Sequence, residues 1–488
     1  MSPYALRRVA LALVLCLVGS TSARAQLGTL LTTFQDPAAG KGSRFGSSIA
    51  AVGKNILVGA PRDSALGDET GAAYLLDGAG KRLATFHDPS PTKDDWFGYA
   101  VAAAGDNVVI SALRKDTGGQ DVGTAYVFDL NGDLLSTINS PNPSGFDSFG
   151  QSIVGVGDNI LIGADRWKDP SGAYDSGIAY LFSPQGKLLE TFENPTPAFG
   201  DHFGKSLAVV DDRIVIGAMG DSSKSFGSGA AYVFDQAGDL LTTLHSPGGA
   251  VGDNFGVSVA GMGFNEILVG ANLADGSGKD AGAVYRYDLN GQLLGVINNP
   301  TGNAGDNFGL SVAALEDHVL VGVDSLHQGI NPVGGAYLFS PSGTLAHTFA
   351  NPAPSRNDDF GASLAVVGNS VLVGAPLEDA ANRDAGAVYL FQGLREPELV
   401  GDANLDGRVD LSDFQILRQN FGKPGTARQG DFTADGWVTL SDLGPLKTNF
   451  GATRNTPGAA AVPEPSGIVL AALAAASACL LGWRRGRR

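Results

Sequence analysis

Oxygen-bearing side chains recur at fixed places between Asp402 and Asp413. Asp402, Asn404, Asp406, Asp410 and Asp413 fill places 1, 3, 5, 9 and 12 of a loop in which Gly407 takes the turn at place 6 and Arg408 offers its carbonyl at place 7. A hard cation that collects six to eight oxygens needs this alternation, because an open loop aims every second side chain at one centre. Calcium binding is therefore the expected chemistry. A second loop repeats the spacing with Asp431, Thr433, Asp435, Trp437 (through its carbonyl), Thr439 and Asp442. It carries fewer charges and is expected to bind more weakly.

Other acids repeat too regularly to be catalytic. Asp95, Asp147, Asp201, Asp253, Asp306 and Asp358 each stand two residues before a Phe-Gly pair. A catalytic pair needs two carboxylates in different environments, whereas repetition gives every copy the same one. Hydrogen bonding to nearby backbone is the expected role. Asp106, Asp158, Asp211 and Asp317 sit singly in short turns and read as turn formers, since one or two carboxylates cannot complete a calcium shell. The irregular loops that follow the second and fourth strand of each repeat carry the candidates for recognition: Trp96, Arg166, Trp167, Tyr174, Phe199, His202, Phe226 and His327. Aromatic rings with arginine suit contact with protein or sugar. A rival reading uses the non-equivalent acids Asp165, Asp169, Asp221 and Asp324 for polysaccharide cleavage. No Ser-His-Asp motif or phosphate-binding glycine loop is present and the six histidines are scattered, so no catalytic residue is assigned.

The elements that position these residues follow from a repeat. Phe45, Phe97, Phe149, Phe203, Phe255, Phe308 and Phe360, each followed by Gly, are spaced by 52 to 54 residues. A fixed period near 50 indicates a propeller or solenoid. Each unit holds four short β-type runs, in the third Gly150 to Val156, Asn159 to Ala164, Gly177 to Phe182 and Lys187 to Phe192, which is the arithmetic of a propeller blade. Leu30 to Phe34 precedes the first unit as an unpaired fourth strand, and the last unit stops after its third, Ala387 to Phe391. Pairing the two closes a ring and hides the edges. The expected fold is an all-β seven-bladed propeller over residues 26–395, with recurring Phe packed between blades and the loops after strands two and four on one face. Most of the 69 glycines are then turn punctuation, as in Leu130-Asn131-Gly132.

Phe360-Gly361, Gly374-Ala375-Pro376 and Gly386-Ala387-Val388-Tyr389 resemble the FG-GAP repeat, the blade of integrin α chains and of many bacterial surface proteins. The blade of that family carries a calcium loop between strands one and two. Here that interval is a short turn, so no calcium is expected in the propeller.

Beyond the linker 396–400 the periodicity changes. The two oxygen-rich loops, of EF-hand type, each lead into an apolar face, Phe414, Leu417, Phe421 and Leu443, Leu446, Phe450, with Gly444-Pro445 interrupting the second helix early. Paired loop-helix segments ending in Asn420-Phe421-Gly422 and Asn449-Phe450-Gly451 resemble a type I dockerin. The resemblance implies a small all-α calcium-binding module over 401–452 and a cohesin-like protein as partner. Leu411-Ser412 and Leu440-Ser441 differ from the Ser-Thr pair of cellulosomal examples.

The ends read as addresses. Arg7 and Arg8, an apolar run from Val9 to Gly19, and Ala23-Arg24-Ala25 form a secretory signal peptide over 1–25, cut after Ala25. After a linker at 453–461, Pro463-Glu464-Pro465, an apolar span at 467–483 and a basic tail resemble the PEP-CTERM sorting signal of Gram-negative bacteria. The resemblance implies an exosortase-type sorting enzyme, a membrane anchor that is transient or permanent, and delivery to the cell surface or extracellular matrix. Both cysteines, Cys16 and Cys479, and seven of the 33 basic residues lie in these ends. The remaining body is strongly acidic and repels nucleic acid. It has no thiol for disulfides, zinc or nucleophilic chemistry. The expected function is a non-catalytic surface or matrix protein whose propeller loops bind a surface protein or polysaccharide.

Overall fold

The computed structural model describes residues 27–452, apart from 39, 325–326, 329–330, 380, 394–399, 405–407, 424–428 and 434–436. The signal-peptide and sorting-signal readings, with Ala25, Pro463, Glu464, Pro465 and the apolar span, lie outside these residues. No helix among the described residues is long and apolar enough to cross a membrane. The described chain divides into two compact units, one within Gln26–Leu394 and one after it.

Among the described residues, seven antiparallel four-stranded sheets and one two-stranded ribbon, His327–Gln328 with Asn331–Pro332, make up the first unit. In the third blade the strands are Phe149–Val156, Asn159–Ala164, Ile178–Phe182 and Leu188–Glu193, within a residue of the sequence reading. Tight turns join strands three and four, as where Asp129 Oδ1 accepts from the N–H groups of Asn131 (2.9 Å) and Asp133 (2.8 Å) and Gly132 has φ 101°. The side chain does what a backbone carbonyl would do in a turn, and glycine supplies the positive φ.

The ring is closed by β1 (Leu30–Gln35), which pairs with Ala387–Gln392 in antiparallel register, Phe34 opposite Val388. The chain's first strand thereby completes its last blade.

Between blades the recurring Phe is fully buried: Phe45, Phe97, Phe149, Phe203, Phe255, Phe308 and Phe360 expose none of their surface. One core cluster shows the principle, drawing Leu75 and Phe86 from the first blade and Phe97, Ile110, Tyr126 and Phe128 from the second. Phe97 meets Phe128 edge-on at 6.1 Å, a favoured ring geometry. Glycine sets the closeness of the joint. Gly386 has φ 83°, and a Cβ on it would come 2.1 Å from the carbonyl oxygen of Phe45.

The second unit, described by itself, holds α1 (Leu411–Asn420) and α2 (Leu443–Asn449), the latter entered through a 3-10 turn at Leu440–Asp442. Pro445 falls in the first turn of α2, where no intrahelical N–H bond is required. The early interruption read from Gly444-Pro445 is therefore a helix start. Val409, Phe414 and Leu446 form the core, with Phe432, Leu443 and Phe450 against them.

Candidate functional site

The loops after strands two and four meet at every blade joint. The residue before each recurring Phe has a left-handed backbone: Arg44, Trp96, Ser148, His202, Asn254, Asn307 and Asp359 have φ between 55° and 59°. Such geometry costs of order 1–3 kcal/mol per residue and persists where the surroundings over-determine it. Here the following Phe donates its N–H across the joint, as Phe97 does to the Thr70 carbonyl (3.1 Å).

The acid two places before the Phe completes that frame. Asp147 Oδ2 accepts from Ser144 N–H (2.6 Å), Asp201 Oδ2 from Ala198 N–H (2.7 Å) and Asn194 Nδ2 (2.8 Å), and Asp306 Oδ2 from Thr301 Oγ1 (2.6 Å). These are the local hydrogen bonds expected of a repeated structural acid. Burial pushes Asp147 and Asp201 up to about 6. At the second blade two buried acids, Asp88 and Asp95, face each other, and Lys115 stands 3.1 Å and 2.9 Å from them.

The four acids of the rival reading have separate surroundings. Asp165 lies 3.5 Å from His202 Nδ1 and 3.9 Å from Lys205 Nζ. Asp169 shapes its own loop, accepting from Ser171 Oγ (2.7 Å) and Ala173 N–H (2.8 Å). Asp221 accepts from Tyr232 OH at 2.6 Å and Asp324 from Asn307 Nδ2 at 3.1 Å. Asp359 is raised to about 6, first by burial and then by the charge of Asp324, with Arg44 opposing.

Trp96 and Arg166 line one cavity of about 330 Å³ with Leu113, Arg114, Asp121, Phe146 and Ser148. Arg62 and Arg114 lie over the Trp96 ring at 5.0 Å and 4.8 Å, and its Nε1 donates to Glu69 Oε2 (3.0 Å). An ion pair recurs at equivalent places in three blades: Arg62 with Glu69 at 3.4 Å, Arg114 with Asp121 at 3.1 Å and Arg166 with Asp175 at 4.0 Å. Sequence reasoning named Trp96 and Arg166 and missed Arg114, Asp121, Phe146 and Ser148. The 52-residue register of Arg62, Arg114 and Arg166 was the signal that could have found them.

The other candidates are placed differently. Trp167 packs partly against the third-blade core, donates Nε1 to the Asn142 carbonyl (3.3 Å), and lines a second, smaller cavity with Asp169 and Pro197. Tyr174 is 58% exposed with Lys168 Nζ 4.1 Å above its ring. Phe199 and Phe226 are 78% and 81% exposed. Gly200 N–H donates to the Tyr174 carbonyl (3.0 Å) and Gly252 N–H to the Phe226 carbonyl (3.0 Å), so loops of adjoining blades hold these rings on the same face. His202 belongs to the Asp165 group. His327 lies in a two-residue strand paired with Asn331–Pro332, and its side chain is outside the described residues.

In the second unit the twelfth residue of each loop ties the loop together. Asp413 accepts from the N–H groups of Ala403 (2.7 Å), Asn404 (3.1 Å) and Asp410 (2.8 Å). Asp442 does the same with Phe432 (2.7 Å), Thr433 (2.9 Å) and Thr439 (2.7 Å). The loops also cross over. Gly451 N–H donates to the Val409 carbonyl and Gly422 N–H to the Val438 carbonyl, both at 2.8 Å. Each loop's eighth residue thus pairs with the end of the other loop's helix. Among the described residues no three His, Cys, Asp or Glu side chains are grouped to hold a metal. Asp406 and Asp435, the fifth residue of each loop, lie outside them. The oxygen donors present in the first loop, Asp402, Asn404, Asp410 and Asp413 with the Arg408 carbonyl, are of the type calcium prefers.

The FG-GAP repeat family matches residues 35–76, 84–128, 197–234, 241–287 and 353–391. No curated protein matches the chain. The chain thus carries FG-GAP repeats on a seven-bladed β-propeller scaffold.

Proposed function

We propose that this is an exported, surface- or matrix-associated binding protein without catalytic activity, whose propeller recognises its ligand through the loops after strands two and four. The observation that carries this reading is the exposure of four aromatic rings, Phe146, Tyr174, Phe199 and Phe226, all in loops after strands two or four of an acidic chain. Monomeric surfaces rarely leave aromatic rings out in water in such a group unless they meet something. Loops on a rigid scaffold are where recognition normally sits. Export and sorting by an exosortase-type enzyme rest on the two end segments of the sequence.

The second unit serves attachment in this reading, as a dockerin-like module. Asp402, Asn404, Asp406, Asp410 and Asp413 with the Arg408 carbonyl would hold one calcium ion. Asp431, Thr433, Asp435, Thr439 and Asp442 with the Trp437 carbonyl would hold a second, weaker one. Bound calcium would fix the loops that α1 and α2 follow, coupling metal to folding. A cohesin-like protein is the proposed partner of that module.

Retention of the full chain on arrays of surface proteins and polysaccharides tests the binding reading. It is expected to disappear when the loops around Trp96 and Trp167 are replaced by those of another blade. Failure to bind any surface component would overturn it. A carbohydrate-active enzyme is the second reading, favoured by one observation: Asp359, held protonated to about 6, faces the charge of Asp324 at the same end of the ring. Release of reducing ends from a polysaccharide panel would establish that reading.

A further inference from the structure

At the joint between the first two blades the chain already holds an aromatic ring against two guanidinium groups. Trp96 has Arg62 at 5.0 Å and Arg114 at 4.8 Å from its centre, and Glu69 accepts its indole N–H at 3.0 Å. One period of 52 residues carries each member of this group to the next joint. Arg62 becomes Arg114, Glu69 becomes Asp121, Arg114 becomes Arg166, and Trp96 becomes Ser148. Both arginines and the acid are kept, and only the ring is missing. Ser148 even keeps the backbone conformation, with φ 58° against 56° at Trp96.

Where the indole stands at one joint, the next has the cavity of about 330 Å³, lined by Arg114, Asp121, Phe146, Ser148 and Arg166 together with Leu113 and Trp96 itself. Its volume is at the lower end of ligand-sized pockets. Arg166 is 54% exposed on its side chain, its nearest carboxylate is 4.0 Å away, and its guanidinium makes no hydrogen bond to the described residues. Phe146, half exposed, forms an apolar wall.

We propose that this slot receives the indole ring of a tryptophan presented by a partner polypeptide. The proposal rests on the reading of the loop face as a binding surface and names the chemistry that one part of it recognises. Guanidinium groups attract the face of an indole more than that of any other side chain. Asp121 is placed to accept the indole N–H as Glu69 accepts that of Trp96, and its shorter side chain leaves room. A carboxylated sugar fits less well, because it presents no π face to the arginines and brings a second negative charge toward Asp121. A ring carried by a polypeptide can also reach the exposed aromatics of the same face, and buried Trp and Arg are the residues that dominate protein interfaces.

The test is ligand-observed NMR on the full chain with N-acetyltryptophanamide, with N-acetylleucinamide and oligogalacturonate run alongside. Saturation transfer to the indole but not to the leucine amide is expected. Ser148→Trp, which supplies the ring from within, should abolish it and raise the Tm, with circular dichroism confirming an intact ring of blades. Arg166→Ala, an exposed change that leaves the core alone, should weaken binding by about tenfold. Absence of indole binding, indole binding indifferent to both substitutions, or oligogalacturonate binding in its place overturns the proposal. If the wild-type chain is still retained on surface components through its loops while the indole fails, this inference falls and the binding reading stands; loss of both removes both.

Discussion

Lys115 holds its ammonium 2.9 Å from the carboxylate of Asp95, inside the joint between the first and second blades. It also pairs with Asp88, at 3.1 Å, and donates to the Ser90 carbonyl. At the corresponding places elsewhere an acid faces a neutral residue, as with Asn194 and Asp201, Ser246 and Asp253, or Asn299 and Asp306. The lysine occurs at the joint where both are acidic. Lys115→Met should therefore destabilise the propeller by about 3–5 kcal/mol, because it leaves two buried carboxylates together. Adding Asp88→Asn should restore most of the loss. Chemical denaturation of the single and double variants measures both, and a single variant as stable as the parent would remove the compensation argument.

Ring closure depends on glycine at the joints. Gly386→Ala places a methyl against the Phe45 carbonyl oxygen, so it should cost well over the about 1–2 kcal/mol of left-handed strain alone. Gly42, with φ 74° and open space around its Cβ position, provides the comparison. Gly42→Ala should show only the strain, and equal Tm shifts for the two would contradict the close-approach explanation.

The buried acids give the propeller a pH signature. Asp147 and Asp201 bind their protons more tightly folded than unfolded, being raised to about 6 from an ordinary value near 4. The stability they contribute is present below pH 4 and lost as the pH rises through 6. Asp147→Asn with Asp201→Asn should flatten the fall in Tm between pH 4 and pH 7. A slope unchanged by both substitutions would show that these acids are not its source.

Calcium is tested in the second unit. Asp402→Ala with Asp406→Ala should abolish calcium-dependent protection of residues 399–452 from proteolysis in the full chain while the propeller stays resistant. Calcium uptake unchanged in this double variant would end the assignment of the first loop.

Much of the architecture was written in the repeat. The Phe-Gly period located seven blades because each buried Phe answers to the same glycine of its neighbour, and a closed ring forces that pair to recur. The missing fourth strand after Ala387 predicted the pairing of β1 with Ala387–Gln392, since an unpaired edge must be covered. Recognition was harder to read because it depends on departures from the repeat. Trp96 and Arg166 stood out by type, but Ser148 and Asp121 matter through what their counterparts Trp96 and Glu69 do one blade earlier. Trp167 looked equally exposed in sequence and is half taken up by core packing, because it occupies the place where other blades put Asp63, Lys115 or Asp221. The crossed pairing of Val409 with Gly451 and of Val438 with Gly422 was legible only as a 29-residue identity of offset, with nothing in residue type to mark it.

The most direct measurement of the central claim compares the two faces of the ring. Phe226 and Phe264 are equally exposed, at 81% and 82%, but Phe264 lies in a turn between strands one and two, at the opposite end of its sheet from the loops after strands two and four. Retention of the full chain on its surface ligand should fall at least about tenfold in Phe199→Ser with Phe226→Ser, the scale of two lost interface anchors, and stay unchanged in Phe264→Ser. Loss of retention in Phe264→Ser alone, with the loop-face variant binding as the parent does, would contradict the account.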